Sequence, residues 1–139
     1  MEEDHKISYL QLIQNSIDRM GTNSTITKGF AASTIAGVAI VDNMEKISLM
    51  AFVYYLPLCA FLALDLYYLI LEKKFRYLYS SVNSGEHKCD YKFDLVNRKD
   101  KDALKSAGAR IRDCIFSPSI LLFYPALIIT IAIILHLEA

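Results

Sequence analysis

Residues 47–71, ISLMAFVYYLPLCAFLALDLYYLIL, form an apolar run of membrane length that holds one acid, Asp65. At about 1.5 Å per residue, a helix of this length reaches across a bilayer's hydrocarbon core. A carboxylate inside such a segment is expensive in lipid and faces protein or water instead. The run exits directly into Glu72-Lys73-Lys74-Phe75-Arg76. By the positive-inside rule this basic cluster marks the cytoplasmic end.

The chain is 54% hydrophobic yet 22% charged, close to the soluble average of about 25%. Its charges are therefore segregated, lying mostly outside three runs at 26–41, 47–71 and 118–137. The formal net charge is zero, which argues for no particular partner; duplex nucleic acid is not an expected one. The first residues, Met1-Glu2-Glu3-Asp4-His5-Lys6, are acidic and polar, so no cleaved secretory signal is expected. Cys59, Cys89 and Cys114 show no Cys-x-x-Cys spacing; ordinary reduced cysteines are expected.

Residues 7–24 read as an amphipathic helix, with Leu10, Ile13, Ile17 and Met20 recurring at three- and four-residue steps. It either docks on the rest of the protein in the cytoplasm or lies in the membrane interface. Asn23-Ser24-Thr25 is a possible break or cap before the first span, 26–41. That span is short, with Lys28 snorkelling towards the interface. Gly29, Ser33 and Gly37 recur every four residues, as do Ala32 and Ala36. Small residues at this spacing let helix backbones approach closely. They serve either packing against the second span or an oligomer contact and pore-lining face.

Residues 42–46, DNMEK, read as a tight turn that makes spans one and two an antiparallel hairpin. Span two continues as a helix beyond the membrane through Phe75 and Leu78. Asn83-Ser84-Gly85 signals a turn, and alternation of Tyr91, Phe93 and Leu95 suggests a short extended segment. Residues 98–115 look helical again. Ser117-Pro118 is a good helix start, and 118–137 make the third span, with a possible kink at Pro125. The fold expected is an all-α membrane protein: an amphipathic N-terminal helix (1–25), a transmembrane hairpin (26–71), a helical cytoplasmic region (72–116) and a third transmembrane helix (117–139). Loop 72–116 carries eleven Lys and Arg and the hairpin turn one. That asymmetry predicts a cytoplasmic N-terminus and a C-terminus on the far side.

Counting from Met44 as hairpin centre puts Asp65 within about 6–8 Å axially of both Lys28 and Arg19. Pairing with either base would make a structural clasp near the cytoplasmic interface; the competing reading is an ion-pathway or gating carboxylate. His87, Cys89 and Asp90 are too few for a metal site, and His5 and His136 are expected on opposite sides of the membrane. No nucleophile elbow, phosphate-binding glycine loop or zinc-protease helix is present. Neither an enzyme nor a cofactor or metal is expected. Lys73, Lys74, Arg76, Lys92, Arg110 and Arg112, with Lys88, Arg98, Lys99, Lys101 and Lys105, give the loop a basic surface. It is read as positive-inside topology with attraction to anionic lipid, as a dock for a protein, or as a site for a nucleotide or oligonucleotide on which Tyr91 and Phe93 stack. Seven acids share this loop, which weakens the last reading.

Two stretches, YLQLIQNSIDRMGTNSTITKGF (9–30) and LDLYYLILEKKFRYLYSSV (64–82), resemble a family of small bacterial membrane proteins. Its members pair YL-x-x-IQ-x-x-I-x-RM-x-x-NS-x-x-x-KG-[WF] with LD-x-YYL-x-x-E-[KR]-x-FR-x-LY. The matching positions are Gln14, Asn15, Arg19, Met20, Asn23, Ser24, Lys28 and Gly29, then Asp65, Tyr67, Tyr68, Glu72, Phe75 and Arg76. Phe30 stands where members often carry Trp. The resemblance covers about the first 80 residues and implies a bacterial inner-membrane protein, an effector in antiphage or nucleotide-signalled defence. The function expected is an oligomeric effector that perturbs or permeabilises the membrane when a cytoplasmic protein or nucleotide triggers it. The alternative is a non-conducting scaffold or regulatory subunit that recruits a cytoplasmic partner.

Overall fold

The computed structural model describes residues 2–45, 51–88, 91, 93, 96, 102, 105 and 108–137. These residues are helical wherever they are regular, with no strand among them. Helix α1 spans Glu2–Glu45, α2 Ala51–Asn83, α3 Ile111–Ile115 and α4 Pro118–Leu137. Helices α1, α2 and α4 are each long and apolar enough to cross a membrane.

The expected amphipathic helix and first span are one unbroken helix of 44 residues. Asn23-Ser24-Thr25 does not interrupt it, because the hydroxyls find partners without opening the backbone. Thr25 donates to Gly21 O at 3.1 Å and Thr27 to Asn23 O at 2.8 Å, both four residues back. Ser24 reaches across to α2. Such back-bonding lets hydroxyl residues sit inside helices. The turn expected at 42–46 is also displaced, since Asp42 to Glu45 are still helical and Lys46 lies outside the described residues.

Along α1, Tyr9, Ile13, Ile17, Met20, Ser24, Thr27, Ala31 and Ile35 are buried. Steps of three and four place them in one seam, the heptad-like spacing by which two helices pack along their lengths. Helix α2 faces that seam antiparallel with Tyr54, Leu58, Asp65, Phe75, Leu78 and Val82. The hairpin is long: Lys6 Nζ donates to Asn83 O at 3.0 Å at one end, and Tyr54 Oη donates to Asp42 Oδ2 at 2.7 Å near the other.

Two apolar cores occupy the seam. One joins Tyr9, Ile13, Ile17, Phe75, Leu78, Val82 and Val96. Phe93 closes it, with its ring 5.6 Å from Phe75 and 6.1 Å from Tyr9. The other joins Ile35, Tyr54 and Leu58 to Ile120, Tyr124 and Ile131 of α4. Helix α4 starts as expected at Ser117-Pro118, although it is the Ser117 carbonyl that accepts, from Ile120 N at 3.0 Å and Leu121 N at 2.9 Å. It runs through Pro125.

The extended segment expected at Tyr91–Leu95 falls largely outside the described residues. Tyr91 itself has a left-handed backbone, φ 57°. Of the helix expected over 98–115, Asp102 and Lys105 are helical and Ile111–Ile115 forms α3; the turn between them uses Gly108 at φ 58°. Cys114 in α3 is buried. Burial pushes its thiol above the ordinary value, and the nearby Lys73 ammonium only partly offsets this. The thiolate is the reactive form. In a Cys59→Ser, Cys89→Ser background, maleimide labelling of Cys114 is expected to be at least about tenfold slower than that of a free cysteine. Labelling at the free rate would show that α3 does not hold its place.

Candidate functional site

Between the two cores, the seam is polar. Asp65 is fully buried on α2. Ser24 of α1 donates from Oγ to Asp65 Oδ1 in a short hydrogen bond. Lys28, one helical turn further along α1, puts Nζ 2.6 Å from Asp65 Oδ2 as an ion pair, and the same ammonium donates to Ser24 Oγ at 2.8 Å. Ser24 and Lys28 stand on one face because residues four apart on a helix are neighbours.

The third helix also reaches this point. Tyr124 of α4 donates from its hydroxyl to Phe61 O at 3.2 Å, and that hydroxyl lies close enough to interact with the Asp65 carboxylate. One carboxylate of α2 thus draws in side chains from α1 and α4. Lys28 is 15% exposed while Asp65 is 0% exposed. The cation end of the cluster therefore opens towards the surface and the acid end is sealed. Such a cluster locks helix register, because sliding α1 by a single turn would strand both charges.

Lys28 and Asp65 are together, and Arg19 is not with them. Arg19 sits exposed on α1. The reason is helix rotation. The short side chain of Ser24 bonds Asp65, which puts the acid level with position 24 of α1. Lys28 lies four residues on along the same face, whereas Arg19 lies five residues back, about 140° round the helix.

The small residues expected in packing are mostly not used in this protomer. Gly29, Ser33, Ala36 and Gly37 are exposed and Ala32 is half-buried. A methyl group built on Gly29 or Gly37 would meet no atom within 4 Å. The stripe faces away from α2.

Several of the basic residues hold the fold. Lys73 Nζ donates to Asp113 O at 3.2 Å and Lys74 Nζ to Val96 O at 3.0 Å. These bonds tie the segment before α4 back onto α2. Arg76 pairs with Glu72 at 2.7 Å, one turn away. Arg110 and Arg112 are exposed, and Lys92 lies outside the described residues. So do Cys89 and Asp90, leaving only His87 of that trio described.

Sequence reasoning named Ser24 but not its bond to Asp65, and it missed Tyr124 and the Asp42–Tyr54 bond. Ser24 carried a signal, lying four residues before a lysine inside an apolar run. Tyr124 carried none, because its role depends on how α4 packs. Comparison with protein-family models, with curated proteins and with solved structures yields no match.

Proposed function

We propose that this chain is an oligomeric inner-membrane effector, with its N-terminus in the cytoplasm and its C-terminus in the periplasm. It perturbs or permeabilises the membrane when triggered through its cytoplasmic region. The observation that carries this reading is the uncovered small-residue face of α1. Gly29, Ser33 and Gly37 line up on a candidate span yet make no use of their closeness within the protomer. Large residues Phe30, Ile26 and Ile40 stand exposed around them. In lipid, helix association draws on close backbone approach, which such a stripe offers to a second copy. Three helices enclose no channel, so a conducting state requires several protomers. The Asp65 cluster is then the clasp that keeps each protomer's three helices in register. The family resemblance is the ground for antiphage defence as the setting.

Inducible expression with membrane-potential and dye-entry readouts tests this reading. Gly29→Leu and Gly37→Leu are expected to leave protomer stability unchanged or raise it by up to about 1 kcal/mol, since glycine is a poor helix former and the site is open. The same changes are expected to reduce the mass of the detergent-solubilised particle to that of a monomer and to abolish dye entry. A wild-type particle that is already monomeric, or a silent membrane with stable recruitment of one soluble partner, would favour the scaffold instead.

A further inference from the structure

The extramembrane end of the hairpin holds an open cavity of about 890 Å³, lined by Glu3, His5, Lys6, Val82, Gly85, His87, Lys88 and Tyr91. Its volume is within the range of about 300–1,000 Å³ typical of small-molecule sites. We propose that this cavity binds a soluble nucleoside phosphate, held by Lys6 and Lys88 through its phosphates and by the Tyr91 ring through its base.

Charge is the first ground. Among the described residues, the lining sets two lysines, Lys6 and Lys88, against one acid, Glu3, beside the imidazoles of His5 and His87. Lys6 spends one of its three donors on Asn83 O at 3.0 Å, which fixes the ammonium at the rim and leaves two donors for an anion. Lys88 is exposed.

The second ground is Tyr91. A bulky residue at φ 57° is an outlier, and such strain persists where surrounding contacts impose it. Here the contacts are an edge-to-face packing on Tyr9, with ring centroids 5.1 Å apart, and a hydroxyl that donates to His5 O at 3.5 Å. The ring is 47% exposed. It is positioned from one side and open on the other, the arrangement a stacking platform needs.

Location decides between a soluble ligand and a lipid headgroup. Val82 lies about 25 Å beyond Asp65 along α2, while the apolar helix α4 begins about 9 Å beyond the level of that acid. The cavity therefore stands about 16 Å outside the apolar spans, past the reach of most headgroups. Lys6 and Tyr9 are on α1, and Val82 is in the last turn of α2. A ligand here would bridge the two ends of the hairpin. This deepens the triggered reading above and rests on it for its role, but binding is measured without any membrane activity.

The test uses the full chain in nanodiscs of neutral lipid, with ATP and inorganic tripolyphosphate as probes in equilibrium binding. Both are expected to bind below about 1 mM. The Lys6→Glu, Lys88→Glu double variant should weaken both by at least about tenfold. Tyr91→Gly, which suits a left-handed backbone, should weaken ATP about tenfold and leave tripolyphosphate within about twofold. No binding of either probe to the folded wild type, or wild-type affinity in the double variant, overturns the site. Tripolyphosphate binding without ATP binding overturns the nucleoside class. Dye entry by the wild type in cells is read separately, so failure of the cavity and failure of the effector reading are distinguishable.

Discussion

Asp65→Ala is expected to cost about 3–5 kcal/mol of stability, the largest effect of any single substitution in this chain. The change removes an acid that is 0% exposed and leaves the Lys28 ammonium, 15% exposed, without its counter-charge between two helices. Ser24 loses its acceptor at the same time. Breaking one partner of a buried pair is costly because the other charge stays desolvated. Replacing both by apolar residues of similar size is a different case. Lys28→Met with Asp65→Leu is expected to recover stability to within about 1 kcal/mol of wild type. Reversible unfolding in bicelles measures both variants. A loss below about 1 kcal/mol for Asp65→Ala would overturn the clasp. Full stability of the double variant, with unaltered dye entry, would show that the charges lock register and do not carry ions. Full stability with dye entry abolished would make Asp65 a gate.

Leu78→Ala is expected to cost about 2–5 kcal/mol. Leu78 is completely buried in the core formed with Tyr9, Ile13, Ile17, Phe75, Val82 and Val96. The apolar run of α2 ends at residue 71, and with the bilayer placed on that run, as proposed above, this core stands in water, where the hydrophobic driving force acts in full. Between helices in lipid that force is absent, since the tails are as apolar as leucine. The two halves of the hairpin are therefore held by different physics: apolar burial at the open end, polar pairing and packing at the membrane end. Leu78→Ala should raise amide exchange in the first five turns of α1 and at the end of α2, and leave the helix around Ser24 and Lys28 protected. Uniform loosening along the whole of α1 would contradict that division, and so would a cost under about 1 kcal/mol.

The two halves also differ in what could be read in advance. Of the apolar steps Leu10, Ile13, Ile17 and Met20, legible as one helix face, the structure buries the last three and half-buries Leu10. Tyr9, which those apolar steps do not include, is buried completely as well. The break at Asn23-Ser24-Thr25 was a reasonable local expectation, since these residues favour caps and turns. Local preference lost to the tertiary partner Asp65 and to carbonyls one turn back. The Lys28–Asp65 contact was one of two candidates. Axial distance alone leaves Arg19 in contention; rotation removes it, because five residues from Ser24 turn it about 140° away from the face that meets Asp65.

Three apolar helix-length runs, their order and a buried acid in the second were determined by the amino-acid sequence alone, because backbone hydrogen bonding in an apolar segment leaves little choice but helix. The uneven distribution of lysine and arginine likewise predicts an orientation. What only the tertiary structure decided is the pairing: which base meets Asp65, that Tyr124 joins it from α4, and that the small-residue stripe of α1 turns away from α2. Those outcomes depend on register and on helix rotation. Both are set by the summed fit of two long surfaces, and no local stretch of sequence encodes that sum.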